Sequence, residues 1–243
     1  MAPILEVKDF HKSFGDKSIH QGTSFKLEKG ECLGLLGGSG TGKSVVLRAL
    51  IGLETPDSGE IIYKDQTLAD LSETEWFNIR KEIAYVFQNG ALFDSLSVYE
   101  NLAFPLRRHS KFSEDEIKKR IQKILSDLDL PHAEGLFPAE LSGGMQKRVG
   151  LARSLMLEPE VVLFDEPTAG LDPKNTIVIQ DTIIKLKKLG YTSIFVTHDM
   201  PSALKVCDRI VLLRNKKIEA EATAEELKDQ NHPIIKFMTG DTD

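Results

Sequence analysis

The segment at residues 37–44, GGSGTGKS, constrains the fold of this 243-residue chain more than any other stretch. It matches the phosphate-binding pattern G-x-x-x-x-G-K-[ST] in full. Residues 31–36, just before it, are mostly apolar and predict a buried strand, and residues 44–53 are apolar at helical spacing. Strand, glycine-rich loop and helix form the context in which this pattern binds phosphates. The sequence therefore predicts an α/β fold with a nucleoside triphosphate site.

The chemistry expected of this loop follows from its residue types. Glycines let the backbone N–H groups point inward to phosphates, and the positive end of the following helix faces the same place. Lys43 would reach the β- and γ-phosphates, and the Ser44 hydroxyl would bind Mg²⁺. The alternative is a flexible Gly/Ser linker, which is disfavoured because Lys-Ser and an apolar helix follow at once.

A second part of the predicted site follows the apolar run at residues 161–164. Asp165 and Glu166 would stand at the carboxyl end of a buried parallel strand, where α/β sheets bind their ligands. Asp165 could support Mg²⁺ directly or through water, and Glu166 could polarise the attacking water as a general base. Taken alone, an Asp-Glu pair after a strand favours a solvated turn. Downstream of a complete phosphate loop it favours catalysis.

A second glycine-rich segment, LSGGMQ at residues 141–146, resembles the signature motif of ABC-type ATPases. Ser142 suits a helix N-cap, and Gly143 and Gly144 leave backbone N–H groups open to an anion. An ordinary Ser-capped helix is the alternative, which the basic continuation at 148–153 and the acidic strand end close behind disfavour. In the family this motif closes over the γ-phosphate held by a second subunit. The resemblance therefore implies a head-to-tail dimer of two copies with two ATP at the interface.

Four further residues resemble family motifs in the expected order. Phe14 resembles the aromatic residue that stacks on adenine, with a core or hairpin role as its alternative. Gln88 resembles the glutamine that touches Mg²⁺ and the attacking water and senses the membrane partner. Asp172 resembles the residue that communicates across the dimer. His198 resembles the switch histidine that contacts the γ-phosphate; a structural role is the alternative for a lone histidine after a strand.

The resemblance covers nearly the whole chain and implies an ABC-type P-loop nucleotide-binding domain. Such a domain has a RecA-like parallel sheet core, an N-terminal antiparallel β-subdomain and a helical signature subdomain. ATP and Mg²⁺ are the implied cofactors. Catalytic roles are implied for Lys43, Gln88, Glu166 and His198, and Mg²⁺ ligation for Ser44, Gln88 and Asp165. The residues implied to contact the nucleotide are Phe14, Gly37, Gly38, Ser39, Gly40, Thr41, Gly42, Lys43, Ser44, Gln88, Ser142, Gly143, Gly144 and Asp172.

One cassette is expected to fill residues 1–243. We expect the β-subdomain and RecA-like core in 4–88 and 156–218, the helical signature subdomain in 89–155 and a helical tail in 219–243. Ser113 and Glu116 form a capping box that predicts a helix in the middle region, and Thr223 and Glu226 predict a terminal helix by the same chemistry. Residues 214–217 predict a hairpin turn.

Composition excludes several classes of protein. The net charge of −6 argues against binding to nucleic acid. No apolar run approaches the roughly 18–20 residues that a membrane span needs, and the N-terminus lacks the features of a signal peptide. We therefore expect a cytoplasmic chain whose membrane attachment comes through a partner. Cys32 and Cys207 lie in or beside apolar segments and are expected to be reduced core residues.

Segment 88–107 should differ most among ATPases of this family, because it faces their partners. Its QNGALF string and its Pro-Leu-Arg ending, together with Val45, Met145 and the tail at 232–240, resemble the Mla/Mce-type ATPases. Those systems move phospholipids between the inner and outer membranes of bacteria. The resemblance implies an integral membrane permease, a periplasmic Mce-type lipid-binding protein and a position at the cytoplasmic face of the inner membrane. The Ala-Gly-Leu-Asp at 169–172 departs from the commoner Ser-Ala-Leu-Asp but retains Asp172.

Three other functions compete with this interpretation. The nearest is an importer ATPase for a small polar solute, with the same chemistry and a different cargo. A soluble ABC ATPase that acts on DNA or ribosomes is disfavoured, because the chain has one cassette and no long insertion between its two halves. A nucleotide-binding regulator that never hydrolyses is disfavoured by the presence of both Glu166 and His198.

Overall fold

The computed structural model describes residues 2–88, 90–229 and 231–239, whose strands form two sheets. Asn89, in the segment that resembles the Mla/Mce-type ATPases, and Gly240, which ends the resembling tail, lie outside the described residues. The strands are β1 (Leu5–Phe14), β2 (Lys17–Leu27), β3 (Cys32–Leu36), β4 (Ser58–Tyr63), β5 (Gln66–Thr67), β6 (Ile83–Val86), β7 (Val161–Asp165), β8 (Thr192–Thr197), β9 (Arg209–Arg214) and β10 (Lys217–Thr223). The α-helices are α1 (Lys43–Ala49), α2 (Glu73–Glu82), α3 (Val98–His109), α4 (Glu114–Asp127), α5 (Gly143–Leu155), α6 (Pro173–Lys188), α7 (Met200–Val206) and α8 (Pro233–Thr239).

The larger sheet has the strand order β10-β9-β3-β8-β7-β6. All its pairings are parallel except that of β10 with β9. Residues Cys32–Leu36 and Thr192–Thr197 are buried along their whole length, as expected of strands covered by other elements on both faces. The strand before the glycine-rich loop, β3, therefore lies inside the sheet between β8 and β9.

The smaller sheet is antiparallel, with the strand order β2-β1-β4-β5. Its inner face carries buried Leu5, Val7 and Phe10 from β1 and Phe25 and Leu27 from β2. These side chains pack in one apolar cluster with α1 and with one face of the larger sheet. The predicted α/β class, with an antiparallel subdomain beside a parallel sheet, is confirmed.

The middle of the chain is helical, as its sequence indicates. The predicted capping box begins α4: the Ser113 amide donates to Glu116 Oε2 at 2.7 Å, and the Glu116 amide donates to the Ser113 hydroxyl at 3.4 Å. Ile117, Ile121 and Leu125 follow at helical spacing and are buried. They pack with residues of α3 and α5 in a second apolar cluster.

Two predicted helices are shorter in the structure than the sequence suggests. Helix α1 ends at Ala49 rather than near residue 53, because Gly52 adopts a left-handed φ of 68° and the chain turns there. At the C-terminus, Thr223 and Glu226 form the expected reciprocal hydrogen bonds, but only a 3-10 turn at Glu226–Lys228 follows them.

The predicted helical tail from residue 219 is also wrong at its start. Strand β10 occupies Lys217–Thr223 and pairs with β9, with Ala222 opposite Ile210. Alternate residues along it turn inward, which is the period of a strand. The terminal helix α8 begins only at Pro233. Among the helices of the described residues, none is both long and apolar enough to cross a lipid bilayer.

Candidate nucleotide-binding and hydrolysis site

Strand register brings the predicted site residues to one edge of the larger sheet. Leu36 at the end of β3 pairs with Thr197 of β8, and Asp165 at the end of β7 pairs with Val196. Val86 at the end of β6 pairs with Phe164. The glycine-rich loop, Gln88, Asp165–Glu166 and His198 therefore all follow the carboxyl ends of neighbouring strands, where sheets of this kind bind ligands.

Lys43 is buried against the loop that precedes it. Its Nζ donates hydrogen bonds of 2.9 Å to the carbonyl oxygens of both Gly37 and Gly38. Gly42 has a φ of 97°, and a Cβ there would lie 2.4 Å from Ile19 Cγ2, so only glycine fits. The Lys43 hydrogen bonds and the close packing of Ile19 on Gly42 thus keep the loop compact at the start of α1.

Asp165 is held by two hydroxyl groups. The Ser44 hydroxyl donates to Oδ1 at 2.8 Å, and the Tyr85 hydroxyl donates to Oδ2 at 2.6 Å. Burial, reinforced by the hydrogen bond to Asp165, raises the pKa of Tyr85, so the phenol remains a donor. The structure thus joins the glycine-rich loop to the acidic strand end through one carboxylate.

Glu166 lies between an ammonium group and an imidazole. Its Oε1 is 3.5 Å from Lys43 Nζ, and its Oε2 is 3.1 Å from His198 Nδ1. Its backbone φ of 48° is unusual for a residue with a side chain, and strain of this kind clusters at functional sites. Glu166 and His198 line a cavity of about 380 Å³ together with residues 168–171. A carboxylate in this setting can orient a water molecule beside groups that stabilise developing negative charge.

The signature residues form the start of a separate element, α5. Ser142 caps α5 by accepting a hydrogen bond from the Met145 amide at 3.3 Å, as its sequence predicts. Ser142 and Gly143 are exposed, and within the described part of the chain neither they nor Gly144 form a hydrogen bond with residues 37–44. Asp172 caps α6 through Asn175, whose amide donates to Oδ1 at 3.0 Å. This bond lowers the pKa of Asp172.

Gln88 and Phe14, the remaining two residues predicted to contact the nucleotide, lie on the surface. Gln88 is exposed, two residues beyond the end of β6. Phe14 is 47% exposed at the end of β1, so it is not a core residue. Lys12 Nζ lies 5.1 Å from the centre of its ring. The hairpin that carries Phe14 also carries His20, which contacts the glycine-rich loop.

Sequence reasoning missed three residues that support the site. Tyr85 fixes Asp165, and His20, which is buried, places Nε2 3.0 Å from the Gly42 carbonyl oxygen. Lys147 of α5 donates to the carbonyl oxygens of Pro167, at 3.2 Å, and of Ala169. No sequence motif marks His20 or Lys147, because one lies in a hairpin and the other on a helix without a recognisable pattern that includes it. Only the three-dimensional contacts identify them.

Comparison with known proteins places these features in context. Residues 20–169 match the family model described as ABC transporter. The chain is 36% identical to the intermembrane phospholipid transport system ATP-binding protein MlaF of Haemophilus influenzae, across 99% of the chain and 92% of that protein. It is 40% identical to the protein TRIGALACTOSYLDIACYLGLYCEROL 3, chloroplastic, of Arabidopsis thaliana, across 99% of the chain and 74% of that protein. It is 39% identical to the probable ribonucleotide transport ATP-binding protein mkl of Mycobacterium leprae, across 99% of the chain and 70% of that protein.

Two solved structures have the same fold. CbiO1 from Clostridium perfringens, part of the ABC transporter complex cbiONQ, superposes with a TM-score of 0.86 at 31% identity, covering 98% of the chain and 96% of cbiO1. The dimeric ATP-binding cassette MJ0796, bound to ADP and Pi in a post-hydrolysis state, superposes with a TM-score of 0.83 at 31% identity, covering 90% of the chain and 98% of that cassette.

Proposed function

The chain belongs to the ABC transporter family as an ATP-hydrolysing subunit, and from this premise we propose that its ATPase drives lipid transport between two membranes. The observation that carries the lipid cargo is the full-length similarity to an intermembrane phospholipid transport ATPase. The segment at 88–107 and the variant signature with Met145 support the same cargo.

In the proposed mechanism each residue at the sheet edge has a distinct task. Residues 37–44 surround the phosphates of ATP with backbone N–H groups, and Lys43 exchanges its loop carbonyls for phosphate oxygens. Glu166 takes a proton from the water that attacks the γ-phosphorus, and His198, 3.1 Å from Glu166, stabilises the charge that develops on the γ-phosphate. The bond to the ADP oxygen breaks as the new P–O bond forms, and the products are ADP and phosphate.

The residues present also fit Mg²⁺. Ser44 Oγ and Asp165 Oδ1 lie 2.8 Å apart, and hydroxyl and carboxylate oxygens are ligands that Mg²⁺ prefers. Gln88 would add an amide oxygen. Protein sites for this ion commonly offer one or two carboxylates and leave the rest to substrate phosphates and water. When bound, Mg²⁺ would neutralise charge on the phosphate oxygens, and Tyr85 keeps Asp165 in place for it.

We propose that the active form is a head-to-tail dimer. Ser142 and Gly143 are exposed at the N-terminus of α5, Gly144 is buried behind them, and within the described residues no phosphate-binding loop of the same chain is hydrogen-bonded to these three. In a dimer they would close over the γ-phosphate bound to the second copy. Asp172, at the start of α6, would lie at the same interface. The dimeric state of the cassette MJ0796 supports this arrangement.

Contact with a permease is proposed for the surface that follows Gln88. Phe93 and Phe104 are 44% and 49% exposed, and their ring centres are 5.2 Å apart. Buried Asn101 fixes the loop beneath them, because it donates to the Phe93 carbonyl at 3.1 Å and accepts from the Phe93 amide at 2.9 Å. Exposed aromatic pairs on a rigid support, here a loop held against α3, are typical of protein interfaces. This contact would hold the chain at the cytoplasmic face of the inner membrane.

An Mce-type lipid-binding protein is the third proposed component, and it rests on the sequence resemblance alone. A second candidate cargo is a small polar solute. The similarity to a protein named as a probable ribonucleotide transport subunit, at 39% identity, favours that alternative. Both cargoes use the same ATPase chemistry, so only the partners and the bound cargo distinguish them.

The experiment is a tagged purification from mildly solubilised membranes, followed by mass spectrometry of proteins and lipids. We expect a multi-span permease, an Mce-domain protein and phospholipid. A solute-binding protein without lipid would contradict the lipid cargo. The double variant Phe93→Ser/Phe104→Ser should lose the permease and keep ATP binding. The control Phe112→Ser alters another exposed aromatic residue, on a different segment, and should keep the permease.

A further inference from the structure

A cavity of about 400 Å³ lies between α4 and α6, and none of its lining residues belongs to the candidate nucleotide site. Its floor is apolar: Leu128, Leu155 and Met156 are buried there, and Ile124 and Leu186 lie beside them. The volume falls within the range of pockets that bind small molecules. An apolar floor of this size at the surface favours the burial of a hydrocarbon chain.

The rim of this cavity carries more positive than negative charge. Arg120 is paired with Glu158 at 2.5 Å. Lys185 donates to the Asp127 carbonyl oxygen at 3.0 Å, and its Nζ lies 3.8 Å from Oδ1 of the same residue. The two rim carboxylates are therefore already neutralised within the chain.

Two further lysines lie on the rim. Lys119 and Lys123 line the cavity, and in the described ranges neither forms an ion pair or a side-chain hydrogen bond. They are four residues apart on α4 and so lie on one face, where two like charges slightly destabilise a helix. An anionic group between them would remove that repulsion. The rim thus offers two ammonium groups beside the apolar floor that are in no close ion pair, Lys119 interacting with Glu116 only at longer range.

We propose that this cavity binds a single-chain amphiphile with an anionic head group, either a carboxylate or a phosphate. The head group lies between Lys119 and Lys123, and the hydrocarbon chain packs on Leu128, Leu155 and Met156. A free inorganic anion would leave the floor in water, and a neutral amphiphile would leave the two charges unpaired. The floor combines residues of α4 with residues at the end of α5, so a bound ligand contacts both and stabilises the folded chain.

The test is calorimetric titration of the full chain with dodecanoate and with dodecyl phosphate, each below its micelle concentration. We expect saturable binding of one molecule per chain. The variant Lys119→Glu/Lys123→Glu should weaken binding about tenfold, because it reverses both rim charges. The control Lys111→Glu/Lys118→Glu makes the same charge change at exposed lysines outside the cavity and should bind as the wild type does. The two ligands distinguish a carboxylate from a phosphate head group.

A second variant tests the apolar part of the cavity without changing any residue of α4. Leu189 lines the cavity and is 67% exposed, so Leu189→Asp should fold normally. It should weaken binding of both ligands, and dodecyl maltoside, with the same chain and a neutral head, should bind about tenfold more weakly than dodecanoate. The proposal would be overturned if dodecanoate bound equally well to Lys119→Glu/Lys123→Glu and to the control Lys111→Glu/Lys118→Glu. So would the absence of saturable binding, which is the result expected if the surface instead serves a protein partner.

Discussion

The carboxyl edge of the parallel sheet and the N-terminus of α5 differ in how far they are completed within one chain. At the sheet edge, polar side chains are already hydrogen-bonded to other site residues: Ser44 to Asp165, Lys43 to the loop carbonyls, and His198 to Glu166. At the N-terminus of α5, Ser142 bonds only to its own helix among the residues that the structure describes, and Gly143 is exposed. The first region is a nearly complete site, whereas the second is one half of a contact that needs another molecule.

The largest expected effect tests the first region. Glu166→Gln removes the proposed general base and keeps the size of the side chain, so turnover should fall by about 10²–10⁴-fold while ATP binding persists. Phosphate release and nucleotide affinity measure the two quantities separately. Glu160→Gln is the matched control, since Glu160 is a carboxylate just before the same strand and pairs with Lys64 on the surface. Normal hydrolysis by Glu166→Gln would show that the base has been assigned wrongly.

The second prediction tests the exposed half-site. Ser142→Asp keeps a residue that caps helices well but places a negative charge where the γ-phosphate of the second copy would bind. Turnover should fall by about 10²–10³-fold, as it does when one group that stabilises transition-state charge is lost. The cap of α5 should survive, so the melting temperature should change little. Ser97→Asp makes the same change at the N-cap of α3 and should leave turnover intact.

Mixing two inactive variants separates a shared site from a site within one chain. Lys43→Ala and Ser142→Asp damage opposite halves, so a mixed dimer would contain one intact site. An equimolar mixture should recover about a quarter of wild-type turnover if subunits exchange freely. No recovery despite measured subunit exchange would argue that the signature acts within its own chain.

The third prediction concerns the link between the two regions. Lys147 extends from α5 to the carbonyl oxygens of Pro167 and Ala169, in the loop between Glu166 and Asp172. Lys147 is half-buried, and this burial lowers the pKa of its amine. Lys147→Met should reduce the free energy of unfolding by about 1–3 kcal/mol, because both carbonyl groups lose their donor.

Urea denaturation measures the effect of Lys147→Met, and turnover should fall with it because the loop is released. Lys174→Met, at an exposed lysine on α6, is the control and should be neutral. A Lys147→Met chain as stable and active as the wild type would mean that the link is not needed.

The difference between the two regions also explains what could be predicted from sequence. The glycine-rich loop, the Ser113 capping box and the Ser142 cap depend on local patterns, and the structure has the corresponding loop and helix starts. Tyr85, His20 and Lys147 act across 80, 22 and about 20 residues of sequence, where no local pattern exists. In the tail the error is of the opposite kind, because a local pattern is present but does not start the α-helix that it predicts. Thr223 and Glu226 have helix-capping chemistry, but pairing with β9 sets the strand that precedes them, and only a 3-10 turn follows.

The smallest expected effect is a pH dependence of stability that arises in part beside the phosphate-binding loop. His20 donates from Nε2 to the Gly42 carbonyl at 3.0 Å, and its Nδ1 lies 2.8 Å from the Thr23 hydroxyl oxygen, which also contacts the Lys216 carbonyl oxygen. Burial lowers the pKa of His20 from 6.5, so the folded state favours the neutral ring. Its contribution to stability is therefore complete above pH 6.5 and is lost as the pH falls through the lowered pKa.

This dependence can be measured as the free energy of unfolding between pH 7.5 and about 5, with a slope from one proton of at most about 1.4 kcal/mol per pH unit. His20→Gln should flatten the curve without removing it, because burial also lowers the pKa of His109. His132→Gln, at an exposed histidine, should leave the slope unchanged. If His20→Gln has the wild-type slope, the ring that supports the phosphate-binding loop does not titrate in this range.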